Sequence, residues 1–291
     1  MDGLVELANK TFNLYRCSPL FSFDNDTRSS RNKPRSLALF LCSGLQLSIA
    51  GKTVQQSSRG EIKDVRFEHA SIPEITFYDR HVKPLKLTIQ LRFTKDKADT
   101  QHIFLLLPAT VQSTYSPDFT YFPVMLAKAK NIVTTEVMEW LKKNYACHIS
   151  PLPIPSPTFH SVIKAWVTTL FELAPLEDEL VKAPSRNVQH SLEIEYVVHD
   201  LKELANITLK LKIPEVIKMC KRLKDPKDFI FALQDHILHI TQINVGALAI
   251  GKLTTTNMGL DKEGRLKIFG HISRMDAVKI VCELIELAST K

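Results

Sequence analysis

Residues Gly246-Ala247-Leu248-Ala249-Ile250-Gly251-Lys252 carry the glycine, glycine and lysine spacing of the first seven positions of a phosphate-binding loop. Such a loop holds phosphate with converging main-chain N–H groups and a lysine, and holds magnesium with a Ser or Thr at the eighth position. Here the eighth residue is Leu253, with Thr254 one place late, and the four residues between the glycines are apolar. The following Thr-Thr-Thr-Asn-Met-Gly is a poor helix start, so the pattern lacks the strand–loop–helix setting in which the amides converge. A strand containing two glycines is the simpler reading. A nucleotide-binding enzyme using residues 246–252 is the alternative.

Other candidate constellations are thinner. His236 and His239 stand three apart on a predicted helix, a spacing that can place two imidazoles on one metal, but no third ligand follows at a matching interval. Cys147 and His148 are adjacent, and neighbours in an extended chain point to opposite faces, which rules out a dyad. The five cysteines, Cys17, Cys42, Cys147, Cys220 and Cys282, are widely spaced with no C-x-x-C pair, which argues against a disulfide framework or a zinc knuckle and for a reducing compartment. Only nine glycines occur, none between Gly60 and Gly246, so glycine-dependent phosphate loops and nucleophile elbows are excluded from the middle of the chain. No catalytic residue, metal ligand or cofactor is expected.

The charge pattern is more informative. The net charge is +7, and residues 1–60 hold eight basic against four acidic side chains, with Arg28, Arg31, Lys33 and Arg35 in one polar stretch. Three alternating segments each place apolar residues on one side and cations on the other. Leu85, Leu87, Ile89 and Leu91 inward leave Lys86, Thr88, Gln90 and Arg92 outward. Leu209, Leu211 and Ile213 inward leave Lys210 and Lys212 outward. Leu266 and Ile268 inward leave Arg265 and Lys267 outward. These outward faces carry six cations and no acid, a pattern that attracts a phosphate backbone without reading bases. The strand at Leu192 counts against this reading, its outward faces carrying Glu193 and Glu195, and lysine on a strand edge also blocks aggregation without any ligand. A second cluster, Lys218, Lys221, Arg222, Lys224 and Lys227, reads as a solvated helix end.

The elements that must position these faces follow from periodicity. A short helix is expected over the first fourteen residues, and another from Pro34 to Ser43, with proline in a helix's first turn. Leu45, Leu47 and Ile49 alternate as a strand, and Ile103 to Leu107 form a buried run. Asn131 is placed to cap a helix reaching Tyr145, with Val133, Val137, Leu141 and Tyr145 in one stripe and Glu139 and Lys143 paired outside. Pro151, Pro153, Pro155 and Pro157 then resist both helix and central strand, and this connector is taken as the boundary between an N-terminal half, 1–150, and a C-terminal half, 158–291. The second half is expected to hold a helix at Phe159–Phe171, strands near 192–198 and 207–213, helices near 215–223 and 227–239, an extended segment to about Thr256, a turn at Gly259–Gly264, a strand through Leu266 and Ile268, and a last helix starting at Ser273-x-x-Asp276 with the stripe Val278, Val281, Ile285 and Ala288. Strands grouped with strands favour an α+β fold of two sheet-and-helix halves with mixed, mostly antiparallel strands. No stretch approaches the length of a membrane span, and MDGLVELANK is not a secretory signal.

Several stretches resemble one family. Phe12-x-Leu14-Tyr15-x-x-Ser18-Pro19-Leu20-Phe21-x-Phe23 is similar to the N-terminal signature of the centromere protein L family. Phe122-Pro123-x-Met125-Leu126-Ala127 follows, and then Trp140-Leu141-x-Lys143-x-Tyr145-x-Cys147-x-Ile149-Ser150-Pro151-Leu152, as does the strand Gly264-x-Leu266-x-Ile268 before an apolar helix. The resemblance implies a nuclear scaffold subunit of the inner kinetochore, non-enzymatic and without cofactor. It implies pairing with a centromere protein N-like subunit, contact with other subunits of the constitutive centromere-associated network, and a basic groove for centromeric DNA beside the nucleosome. The C-terminal half, with Leu266, Ile268 and Phe269, is the expected partner-binding segment. Lys86, Arg92, Lys210, Lys212, Arg265 and Lys267 are the expected DNA contacts.

Overall fold

In the computed structural model, the described residues are 8–24, 32–50, 59–72, 75–79, 81–93, 98–110, 116, 118–180, 191–198, 206–256, 258–269 and 274–289. Two compact units divide them, one centred on Phe12–Leu152 with the last turns from Ile285, the other on Pro153–Leu284. The fold is α+β, with a mixed and mostly antiparallel set of strands.

In the first unit the elements are β1 (Lys10–Cys17), β2 (Leu20–Phe21), α1 (Asn32–Leu45), β3 (Ser48–Ile49), β4 (Glu61–His69), β5 (Leu85–Arg92), β6 (Thr100–Leu107), β7 (Phe119–Thr120), β8 (Val124–Lys128), α2 (Asn131–Tyr145) and β9 (Ile149–Pro151). The strand order is β1-β8-β6-β5-β4-β3, with β9 on the other side of β1 and β2 pairing β7 separately. All pairs are antiparallel except β3 with β4. From Lys10 on, the expected N-terminal helix is overturned: Lys10–Cys17 is a strand that buries Phe12, Leu14 and Cys17. Its alternation is period two, which competes successfully with the weak helical stripe that Leu4 and Leu7 suggested; those two lie outside the described residues. Leu45 closes α1 instead of opening a strand, which shrinks to Ser48–Ile49.

The core of this unit lies between one sheet face and two helices. α1 buries Leu37, Leu41 and Leu45, α2 buries Val133, Val137, Trp140 and Leu141, and both pack over Leu85, Leu87, Ile89 and Leu91 of β5. The Trp140 indole N–H donates to Ser36 Oγ at 3.1 Å, while its ring meets Tyr145 and Phe67. Lys130, not Asn131, stands at the N-cap position of α2, without a side-chain capping bond, and the helix ends on Ala146 in the left-handed region, φ 49°. Glu139 pairs with Lys142 at 3.6 Å, not with Lys143, whose ammonium sits over the Phe40 ring. Packing against an aromatic face takes Lys143 away from its i,i+4 neighbour.

The second unit holds α3 (Ser156–Leu180), β10 (Ser191–Val197), β11 (Asn206–Lys212), α4 (Ile213–Cys220), α5 (Phe229–Thr241), β12 (Ala249–Thr254), β13 (Met258–Asp261), β14 (Arg265–Ile268) and, up to Leu284, α6 (Arg274–Ser289). Its antiparallel strand order is β11-β10-β12-β13-β14. Leu209, Ile194, Leu253, Leu260 and Leu266 form one cross-strand row through these registers. α3 buries Phe159, Val162, Ile163, Trp166 and Val167 and packs on β12, α4 and α5. α6 buries Val281, Ile285 and Ala288 of the expected stripe, together with Ile280 and Leu284. The expected cap Ser273 lies outside the described residues, as do Arg28 and Arg31 of the N-terminal basic run.

Candidate nucleic-acid and partner interface

The registers decide what surrounds each outward cation. On the first unit, Lys86 stands opposite Glu68, and Arg92 opposite Glu61, because β4 brings its acids to the same face of the sheet. Arg92 Nε also lies 2.7 Å from Asp99 Oδ1. On the other side of β5 the same face continues into Leu105 and Ile103 of β6, both buried. The facing row of β4 is Glu68, Arg66, Asp64 and Glu61, with Asp64 paired to Arg66 and Glu61 to Lys63, so the cations of β5 stand beside a row of mixed charge.

The second unit shows the same interleaving across a wider face. One cross-strand row runs Lys210, Glu193, Thr254, Gly259, Lys267, and the next runs Thr208, Glu195, Lys252, Asp261. Lys210 Nζ lies 2.6 Å from Glu193 Oε1, and Arg265 Nε lies 3.2 Å from Asp261 Oδ2. Lys210 and Lys267 are thus brought onto one face, with a carboxylate between them. Lys212 is exposed next to α4, where its main-chain N–H donates to Glu215. Lys267 is exposed, with its ammonium over the Phe269 ring. The three cationic strand faces stand in a mosaic, because the register, which the individual strand patterns do not encode, sets the acids of neighbouring strands beside them.

The expected partner residues are placed differently. Leu266 and Ile268 are 1% and 2% exposed, so their side chains are used in the chain's own core, and only Phe269 is half-buried. An open apolar edge lies instead on β11, where no further described strand pairs beyond it. Its inward residues Ile207, Leu209 and Leu211 stay half-buried, whereas Leu192, Ile194 and Tyr196 beside them on β10 are fully buried. Nothing in the alternation of Ile207 to Ile213 distinguishes an edge from a central strand, so sequence reasoning could not find this.

The phosphate-loop spacing is resolved by the ladder. Residues 245–247 form a single 3-10 turn, and Ala249–Thr254 form β12, whose residues pair with β10 and β13. Lys252 stands opposite Glu195 and Asp261, and Gly251 lies where a Cβ would come 2.5 Å from Val197 Cγ2. Those amides belong to a sheet, and no loop converges on a phosphate. His239 Nε2 lies 3.6 Å from Asp235 Oδ2 on the exposed side of α5. No group of three His, Cys, Asp or Glu able to hold a metal occurs among the described residues. Cys147 is buried while His148 is exposed, and burial pushes the Cys147 thiol up to about 11.

What fold and surface define is an α+β protein of two sheet-and-helix units with charge-patterned sheet faces and an open strand edge. Family comparison makes this specific. The family model for centromere protein L matches residues 6–288, and the chain belongs to that family. It is 20% identical to mouse centromere protein L over 272 residues, 90% of this chain and 78% of the mouse protein. To the rat protein it is 20% identical over 285 residues, 96% and 79% of the two chains, and to the human protein 22% over 171 residues, 59% and 48%. No helix among the described residues is long and apolar enough to cross a membrane.

Proposed function

We propose that this chain is a non-enzymatic scaffold subunit of the inner kinetochore, working in the nucleus at the centromere. In this reading it pairs with a centromere protein N-like protein, joins other subunits of the constitutive network, and helps hold centromeric DNA through phosphate contacts. Membership of the centromere protein L family supports the setting. The observation that carries the pairing is the edge of β11, beyond which no described strand pairs, with half-buried Ile207, Leu209 and Leu211. A strand added there would satisfy the edge and finish the burial of those three side chains. Phe269 is the member of the expected partner segment with side-chain surface left to offer.

DNA contact in this reading is sequence-independent. Lys212 and Lys267 are exposed cations in no ion pair with a described residue, while Lys86, Arg92, Lys210 and Arg265 would have to exchange acidic neighbours for phosphate. The test is co-expression with a centromere protein N, followed by size-exclusion chromatography with light scattering. A stoichiometric heterodimer that retains duplex DNA at moderate salt is expected, and Lys210→Glu with Lys212→Glu should weaken DNA retention without dissolving it. A monomer that ignores both partner and DNA would overturn the proposal.

A further inference from the structure

We infer that the corner from the end of α4 to the start of α5 is the main phosphate-tracking surface of the second unit, and that its ligand is the backbone of duplex DNA. The inference rests on the reading above that this chain contacts DNA, and it moves that contact away from the sheet faces.

α4 buries Ile213, Val216 and Cys220, which turns Lys218 outward. The helix does not stop abruptly. Lys221 N–H donates to Ile217 O, Arg222 N–H to Met219 O and Leu223 N–H to Cys220 O, so Lys218, Lys221 and Arg222 keep the i, i+3, i+4 spacing of one helical side. Lys224 follows, and then a 3-10 turn over Pro226–Asp228 carries Lys227. Asp225 is engaged locally, its Oδ1 accepting the Lys227 main-chain N–H at 2.9 Å. Lys218, Lys221, Arg222, Lys224 and Lys227 are all exposed, and none is in an ion pair with a described residue. Four positions beyond Lys227, Phe231 is 53% exposed, with Lys164 of α3 over its ring at 5.4 Å.

The sheet faces differ in what already surrounds their cations. There, Arg92, Lys210 and Arg265 already lie within 3.2 Å of carboxylates, so a phosphate must displace an existing partner. At the corner five cations fall within ten residues on a turn fixed by its own main-chain bonds, against one carboxylate among them, Asp225, and a second, Asp228, just past Lys227. Cations at a helix C-terminus also stabilise the helix dipole, which accounts for Lys218 and Lys221. It leaves Lys224 and Lys227, past the helix end, without such a role. Each phosphate neutralised contributes about 0.9 to the log–log salt slope of binding, so three corner residues should contribute roughly 2 to 3.

The test titrates the full chain, alone and co-expressed with a centromere protein N, onto a fluorescently labelled duplex over a range of salt. Two forms of the corner triple variant are compared with wild type and with Lys210→Glu/Lys212→Glu: Lys218→Gln/Lys221→Gln/Arg222→Gln, which spares the helix dipole a reversal, and the corresponding Glu variant. Circular dichroism verifies that each is folded. The expected result is binding weakened about tenfold or more by the Gln variant, further by the Glu variant, with the salt slope reduced by roughly 2 to 3 and a smaller effect from the sheet pair. Wild-type binding with unchanged corner variants would overturn the inference and leave the DNA reading standing. Corner variants that lose the partner but keep DNA would overturn it too, and make the corner a protein contact. Absence of wild-type binding in both forms would overturn the DNA reading itself.

Discussion

Lys210 Nζ lies 2.6 Å from Glu193 Oε1, directly across the β10–β11 ladder, and this pair turns an apparently cationic strand into half of a neutral one. Both side chains are partly open to water, 49% and 31% exposed, so the pair is screened. A double-mutant cycle with Lys210→Ala and Glu193→Ala, followed by denaturant unfolding, should give a coupling of about 0.2–1 kcal/mol. A coupling near zero would mean that the lysine is free for another partner.

His102 is the buried group with the clearest pH signature. It is 3% exposed, and burial first, then the Lys130 ammonium, push its pKa down to about 4. Thr100 Oγ1 donates its proton to Leu91 O, so His102 Nε2–H donates to Thr100 Oγ1 and the bare Nδ1 faces the Lys130 main-chain N–H. Protonation would set a proton against that donor. With the folded value below the unfolded value of about 6.5, the folded state disfavours the proton. Stability is complete above pH 6.5 and falls as the pH drops toward 4, by at most about 3 kcal/mol from this residue. Denaturant midpoints measured between pH 7 and pH 4 should show this decline, and His102→Gln should flatten it.

Two glycines make opposite predictions. A Cβ on Gly60 would lie well inside contact distance of the Arg92 carbonyl oxygen and 2.7 Å from Phe93 Cα, where main chain cannot yield cheaply. Gly60→Ala should cost about 2–3 kcal/mol. A Cβ on Gly259 would meet nothing nearer than 3.9 Å. Gly259→Ala should be neutral or stabilising by up to about 1 kcal/mol. Thermal unfolding of the two variants checks both.

Burial pushes up the thiols of Cys17, Cys147 and Cys220, Cys147 and Cys220 each to about 11, and Cys17 is raised further by its neighbour Cys147. Since the thiolate is the reactive form, these three should resist iodoacetamide at pH 7.5 in the native protein and react once it is unfolded. Peptide mass spectrometry reads the outcome directly; rapid native labelling at Cys17 or Cys147 would contradict the packing described.

How far the sequence reaches can be read from individual elements. The alternation of Leu85 to Leu91 determined β5 and its inward face, because a period of two fits only a pleated strand with one side buried. The stripe Val133, Val137, Leu141 determined the buried side of α2 in the same way, and the motif around Trp140 and Cys147 led to the family. β4 was not legible: a register shift between Ile62 and Asp64 breaks its alternation, so Glu61, Asp64 and Glu68 were not expected beside Lys86 and Arg92. Periodicity says which way a side chain points within its own strand. It cannot say which strand lies alongside, in what register, or whether any does. The inward side of Leu266 and Ile268 was legible from their alternation, whereas the pairing of Lys210 with Glu193 and the place of β11 at the edge of the described strands were decided only by the tertiary structure, through contacts between residues distant in the chain.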